Sequence, residues 1–259
     1  MPVPEPFRRL WIELDALVAD VLPTPWGAVV TDPGAPDVWD LNYARVDVAR
    51  PVGIEEVEDA LLPALRAAGV TVEHVVSLVH EAHGPLMDAL RARGHGLGWD
   101  TLMATDAAAM PGGDVDVEEL RMGDEVASAI ADLLRRAFEV QPEAAVGQLA
   151  TLYRDVMAPA GKRWFGVRDP KGRIVSMGST IVLDGVAYVD DVATLPGSRG
   201  KGFASAVVTR IVHEAGVGGA RTVYLLTDPA APHVVAMYER LGFREVGRLA
   251  STRGPTPDA

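Results

Sequence analysis

The residues best suited to chemistry in this chain of 259 residues cluster in one stretch, "VDDVATLPGSRGKGFASAVV", at 189–208. Arg199, Gly200, Lys201 and Gly202 stand between an apolar run that reads as a strand and an alanine-rich segment of helical character. The N–H groups of a helix's first turn lack partners and point along a dipole that favours negative charge. Glycines there let a bulky anion approach the main chain, so the turn is suited to phosphate oxygens, with Arg199 and Lys201 adding charge at its rim. Just upstream, Asp190 and Asp191 are adjacent carboxylates in an otherwise apolar strand. Strand side chains alternate, so the two face opposite sides unless a bulge intervenes.

The elements that must position these residues follow from periodicity. Apolar spacing near 3.6 predicts helices over 116–140 and 144–157. "RWFGVRD", the turn "PKG" and "RIVSMGSTIVL" read as a hairpin, and "DG" leads into the strand "VAYVDDVAT". A helix at 203–216, a strand at 221–228, a helix at 232–242 and a last strand at 243–251 complete this half. The N-terminal half repeats the end of the plan: glycine, strand, loop with Pro, helix, glycine and strand begin at Gly69 and again at Gly219. Residues 46–69 occupy the place of 189–216 but lack the Arg-Gly-Lys-Gly turn. A duplication with one chemically stripped copy accounts for this, as does the tendency of any α/β chain to repeat strand–loop–helix units. Small residues, Pro and Gly at 105–116 read as a linker, giving expected domains at 1–108 and 115–259.

Spacing separates the anions the turn could hold. A P-loop fails, because Lys201 is followed by Gly202 and Leu195 stands where the first glycine belongs. A dinucleotide fingerprint finds Gly200 and Gly202 but Ser205 in third place, with Asp228 after the next strand. The run from Arg199 to Ala204 instead matches [Q/R]-x-x-G-x-[G/A], the pyrophosphate turn of the GNAT superfamily of acyl-CoA-dependent N-acyltransferases. "MYERLGF", at 237–243, resembles that family's "LYexlGF" segment. The resemblance covers about residues 115–250, with the N-terminal half entering as a degraded copy.

The resemblance implies a mixed, mostly antiparallel α/β sheet flanked by helices, the GNAT fold, present twice in tandem. It implies acetyl-CoA as acyl donor, held by the main chain around Val192, Ala193 and Thr194 and by the turn Arg199, Gly200, Lys201, Gly202, Phe203 and Ala204. The N–H of Val192 would meet the thioester carbonyl, and Tyr238 would protonate the leaving thiolate, its alternative being a core aromatic. One of Asp190 and Asp191 would face the acceptor and take the amine's proton, Asp191 being favoured; a structural ion pair is the alternative. Many relatives carry an asparagine seven residues before the tyrosine. Here that position is Ala231, leaving the contact to His233 or to water, and the N-terminal copy has Leu90 in place of the tyrosine. The reaction implied is acetyl transfer to a primary amine, on a small molecule or a peptide, in a ternary complex. An acyl-CoA-binding protein without catalysis and a dinucleotide-dependent oxidoreductase are the rivals.

Composition narrows the partners. The net charge is −12, and residues 1–110 carry 7 Arg, no Lys and 17 Asp or Glu. No region supplies the basic excess that nucleic acid demands. There is no cysteine, hence no disulfide and no thiolate nucleophile. No apolar run suits a membrane helix, and the opening residues are too charged for a secretory signal, so a cytoplasmic protein is expected. "HEAHG", at 80–84, is one residue short of a zinc-protease motif; on a helix His80 and His83 could share a face, but no third ligand is evident and no metal is expected. "PTPWGAVVTDPGAPDVWDLNY" reads as a binding wall or as a folded opening segment, and a homo-oligomer is compatible with the sequence.

Overall fold

The computed structural model describes residues 3–107, 115–140 and 142–256. Two compact units form, one of residues 1–102 with 246–259 and one of residues 103–245.

The first unit runs α1 (Glu5–Val18), β1 (Asp20–Thr24), β2 (Gly27–Thr31), β3 (Tyr43–Val46), α2 (Ile54–Ala68), β4 (Val72–Ser77), α3 (Gly84–Ala92) and most of β5 (Gly96–Asp106). β2 and β3 are antiparallel, and the α2 crossover then brings β4 parallel to β3. Glu56 accepts from the Gly53 N–H at 3.2 Å to start α2, and Gly69, at φ 72°, ends it in the left-handed conformation glycine tolerates. Val57, Leu61 and Leu65 recur along α2 at helical spacing and form a core with Val29, Val75 and Leu90. The stretch from Pro23 is a folded opening: Trp26 is buried and its indole N–H donates to the Glu56 carbonyl at 3.0 Å. His80 and His83 lie in a turn before α3, not on a helix. His83 is buried with its Nδ1 2.6 Å from Ser77 Oγ. Among the described residues no group of three or more potential ligands could hold a metal ion.

The second unit holds β6 (Glu118–Leu120), α4 (Asp124–Arg136), α5 (Glu143–Leu152), a π-helical turn (Tyr153–Met157), β7 (Arg163–Arg168), β8 (Ile174–Leu183), β9 (Val186–Thr194), α6 (Phe203–Val217), β10 (Thr222–Thr227) and α7 (Pro232–Arg240). Its strands run in the order β10-β9-β8-β7-β6, antiparallel from β6 to β9, with β10 parallel to β9. Val207, Val208, Ile211 and Val212 of α6 are fully buried against Ala187, Val189 and Val223. The helix expected over 116–140 is in fact a strand and a helix: Gly123 lies between them, extended, and caps α4. Acidic residues open α4 and Arg135 and Arg136 close it, which suits the helix dipole.

The last strand, read from the sequence as completing the C-terminal half, lies largely in the first unit. β11 (Arg244–Pro255) pairs antiparallel with β4, and its residues from Val246 on belong to the first unit, between β4 and the N-terminal part of β5. Met103–Asp106, the end of β5, belongs to the second unit, where Met103 joins the core and Ala107 N–H donates to the Arg221 carbonyl at 3.1 Å. Periodicity specifies a strand but not its neighbour, and burial of Leu249, Ala250 and Thr252 holds β11 in the first unit. The expected linker falls largely on residues 108–114, outside the described residues.

Candidate active site

β9 is where the second unit becomes irregular. Met177 pairs with Ala193 and Ser179 with Asp190, so Gly178 alone faces both Asp191 and Val192. This is a β-bulge, and Asp191 adopts φ 55°, a left-handed conformation costing a non-glycine residue about 1–2 kcal/mol. Alternation from Ala187 and Val189 would otherwise aim Asp191 into the apolar core. The extra residue instead turns Val192 into that core, where its side chain and those of Val207 and Ile211 would come within 3.1 Å of a Cβ on residue 178. Any Cβ at 178 would require those three side chains to give by a few tenths of an ångström.

Both carboxylates thereby face the side of the sheet away from α6, where a buried lysine holds them. Lys162 Nζ lies 2.9 Å from Asp190 Oδ2 and 2.8 Å from Asp191 Oδ2. Asp191 also accepts from Tyr153 Oη at 2.7 Å and from Ser179 Oγ at 2.8 Å. Burial alone would push its carboxyl up, but Lys162, Tyr153 and Ser179 together hold it below the ordinary carboxylate range. Asp190, with its side chain 39% exposed, is pushed up by its recessed position and then by the Asp191 charge, with Lys162 opposing. Tyr238, on α7, is buried against Phe243, and desolvation with a contribution from the Asp190 charge pushes its phenol up to about 12.

The parallel ladder between β9 and β10 ends at Val189–Leu225, while β9 continues on β8 as far as Thr194–Ser176. Asp190, Asp191, Val192, Ala193 and Thr194 therefore share one edge beyond the β10 ladder. The chain then makes a short 3-10 turn (Pro196–Ser198) and enters α6 through Gly200, φ 77°, and Gly202, φ 79°. A Cβ at either glycine would meet nothing within 4 Å. The first bond from α6 runs from Ala206 N–H to the Gly202 carbonyl, so the N–H groups of Phe203, Ala204 and Ser205 precede the helical ladder. Arg199 is exposed but tied back, its Nε donating to the Thr194 carbonyl at 3.1 Å, and Lys201 is exposed beside it. Ala231 caps α7 after a turn in which Asp228 accepts from the Ala230 N–H at 2.7 Å. His233 is exposed on the first turn of α7, five residues before Tyr238.

The structure thus sets Asp190 and Asp191 side by side on Lys162, buries Tyr238 on α7 within range of the Asp190 charge, and sets the glycine turn at the end of the strand that carries the carboxylates. Lys162, Tyr153 and Ser179 were not identified from the sequence. Lys162 stands between a turn and a strand like any surface lysine, and only the fold buries it.

In this α/β unit β9 leaves its parallel neighbour ahead of an open, glycine-lined helix N-terminus, a geometry suited to an anion. Residues 127–243 match the sequence model of the Acetyltransferase (GNAT) family, a family of acyl-CoA-using acyltransferases. No curated protein matches the chain. A GCN5-related N-acetyltransferase from Kribbella flavida is 20% identical and aligns over 99% of this chain and 96% of its own, with a TM-score of 0.67. A conserved protein of unknown function from Staphylococcus epidermidis is 13% identical, over 92% and 94%, at 0.68. A tandem GNAT protein from the clavulanic acid biosynthesis pathway is 17% identical, over 91% and 81%, at 0.55. At these identities the likeness is one of fold.

Proposed function

We propose that the second unit is an N-acetyltransferase that moves an acetyl group from acetyl-CoA to a primary amine of a small molecule or peptide by direct attack. The observation that carries this reading is the end of the β9–β10 ladder at Val189–Leu225, directly ahead of two left-handed glycines with open space above them. The main chain of Val192, Ala193 and Thr194 would pair with the pantetheine arm, and the N–H groups from Gly200 to Ala204 would hold the pyrophosphate.

Asp190 replaces Asp191 as the base in this reading. Asp191 is engaged by three donors and held below the ordinary carboxylate range, whereas Asp190 is partly open and its carboxyl is pushed up. Asp190 takes the proton as the amine attacks; the C–N bond forms, the C–S bond breaks, and Tyr238 gives its proton to the departing thiolate. The two groups are coupled through charge. Because the Asp190 anion helps keep the Tyr238 phenol high, protonation of Asp190 lowers that phenol and makes Tyr238 a better acid when the thiolate leaves. The N–H of Val192 is the expected electrophilic contact to the carbonyl.

The first unit fits a second GNAT-like copy without chemistry. Its β2–β3–α2–β4–α3 order repeats β8–β9–α6–β10–α7, with the same antiparallel and parallel pairings. In this copy, Gly53 alone stands at the start of α2, and Leu90 fills the tyrosine's place. The reading extends to a cytoplasmic enzyme; among the described residues no helix is long and apolar enough to cross a membrane.

Calorimetry with acetyl-CoA, followed by thiol release across a panel of amines, tests the proposal, with no background thiol from a chain lacking cysteine. Micromolar binding and turnover with at least one amine are expected. Absence of binding refutes the reading. Binding without turnover, indifferent to Tyr238→Phe, points to a silent acyl-CoA site, which Ala231 in place of the family's asparagine would suit.

A further inference from the structure

Lys162 has no part in acyl transfer as described, yet its side chain is 2% exposed and fully engaged. Its Nζ spans Asp190 Oδ2 and Asp191 Oδ2 and lies over the Tyr153 ring, 4.6 Å from the centroid. A buried ammonium needs such pairing to be tolerated at all. The cluster's charge is uneven: one cation against two carboxylates leaves one negative charge in excess. Asp191 has Lys162, Tyr153 and Ser179 as donors, while Asp190 has Lys162, the Asp191 N–H and an open side.

We propose that Lys162 is a positioning residue that fixes Asp191 as a permanent anion and so makes Asp190 the single proton acceptor of the pair. Without the ammonium, two adjacent carboxylates would share a recess with only hydroxyl donors between them, and each would resist ionising while the other is charged. Lys162 from the segment before β7 and Asp191 on its own strand lie against Asp190, Tyr153 from the π-helical turn lies behind Asp191, and Tyr238 on α7 feels the Asp190 charge. Removing Lys162 would therefore raise both carboxylates, as loss of any buried ion pair would, and the readout that separates positioning from a structural tie is the acid limb of kcat/KM. The catalytic consequence rests on the acyltransferase reading; the charge assignment does not.

The test is carbon-detected NMR of side-chain carboxyls in the full-length protein, with the two signals assigned by Asp190→Asn and Asp191→Asn. In the wild type Asp191 titrates below the ordinary range and Asp190 above it. In Lys162→Met, a substitution of similar length, both midpoints rise by about one to three pH units. For an accepted amine, the acid limb of kcat/KM moves up with them, while acetyl-CoA binding is unchanged because the glycine turn is untouched. Should Lys162→Met not fold, Tyr153→Phe keeps both ion pairs and removes one donor, and the Asp191 midpoint alone rises. Carboxyl midpoints that stay in place in the folded variants overturn the proposal. A wild type inactive with every amine, whose carboxyls nonetheless move in Lys162→Met, overturns the acyltransferase reading and leaves the assignment of Lys162 standing.

Discussion

Gly202→Glu separates a glycine needed for folding from one needed for a ligand. Gly202 has φ 79° and Gly172, in the β7–β8 turn, has φ 80°, and a Cβ on either meets nothing within 4 Å. Alanine at either position carries the same left-handed penalty, about 1–2 kcal/mol. At about 2–4 °C per kcal/mol for a protein of this size, each variant melts about 2–8 °C lower. Glutamate at 202 recovers about 0.3–1 kcal/mol of that, because its carboxylate sits at the N-terminus of α6. The recovery works against binding, since the carboxylate takes the N–H groups the pyrophosphate would use and repels its charge. Two hydrogen bonds to a charged group are worth about 3–6 kcal/mol together, a loss of more than about 100-fold in affinity. Calorimetry with acetyl-CoA should show Gly172→Ala binding like the wild type and Gly202→Glu not measurably binding. Equal binding by Gly202→Glu and the wild type, or equal loss in Gly172→Ala, would refute the assignment of the turn.

Tyr238→Phe removes the proposed acid while keeping the ring against Phe243; kcat should fall about 10²–10⁴-fold with acetyl-CoA affinity nearly unchanged, as read by steady-state kinetics beside calorimetry. In the first unit, burial raises Glu73 to about 7, above its unfolded value, so its contribution to stability is complete below about pH 4 and is lost as pH rises through 7. Relative to Glu73→Gln, the wild type should lose about 2–3 kcal/mol between pH 5 and 8, measured by urea unfolding at each pH. A Cβ at Gly254, opposite Glu73 on β4, would lie 2.4 Å from the His95 ring, so Gly254→Ala should lower stability by about 1–3 kcal/mol, with His95→Ala restoring part of it in a double-mutant melt.

What could be read from the sequence was whatever is local. The strand ending in Thr194, the turn, and the helix beginning at Phe203 follow from residue order, and the structure places all three as the sequence implies. The strand Glu118–Leu120 was absorbed into a helical pattern because Val117, Leu120 and Val126 keep an apolar spacing across Gly123. The transfer of β11 to the first unit was not legible, since a strand's alternation names its faces and not its neighbours. The partners of Asp190 and Asp191 were hidden for a similar reason. Lys162 is 28 residues from Asp190 and Tyr153 is 38 from Asp191, and no local pattern records that the sheet brings them together.

The bulge at Asp191 joins the two demands this site makes. A regular strand would keep Asp191 facing the core, where α6 leaves no space, and an apolar residue there would remove the second carboxylate. One extra residue opposite Gly178 settles both: Val192 fills the core position, and Asp191 joins Asp190 on the lysine's side. The same irregularity begins after Asp190, one residue past the last β10 pair at Val189, so the strand gains an open edge where it gains its carboxylates. The left-handed cost at Asp191 is offset by its three hydrogen-bonded partners. Those partners lie on β7's leading segment, the π-helical turn and β8. The site is therefore held by the body of the sheet, and the edge facing the ligand is left free to serve it.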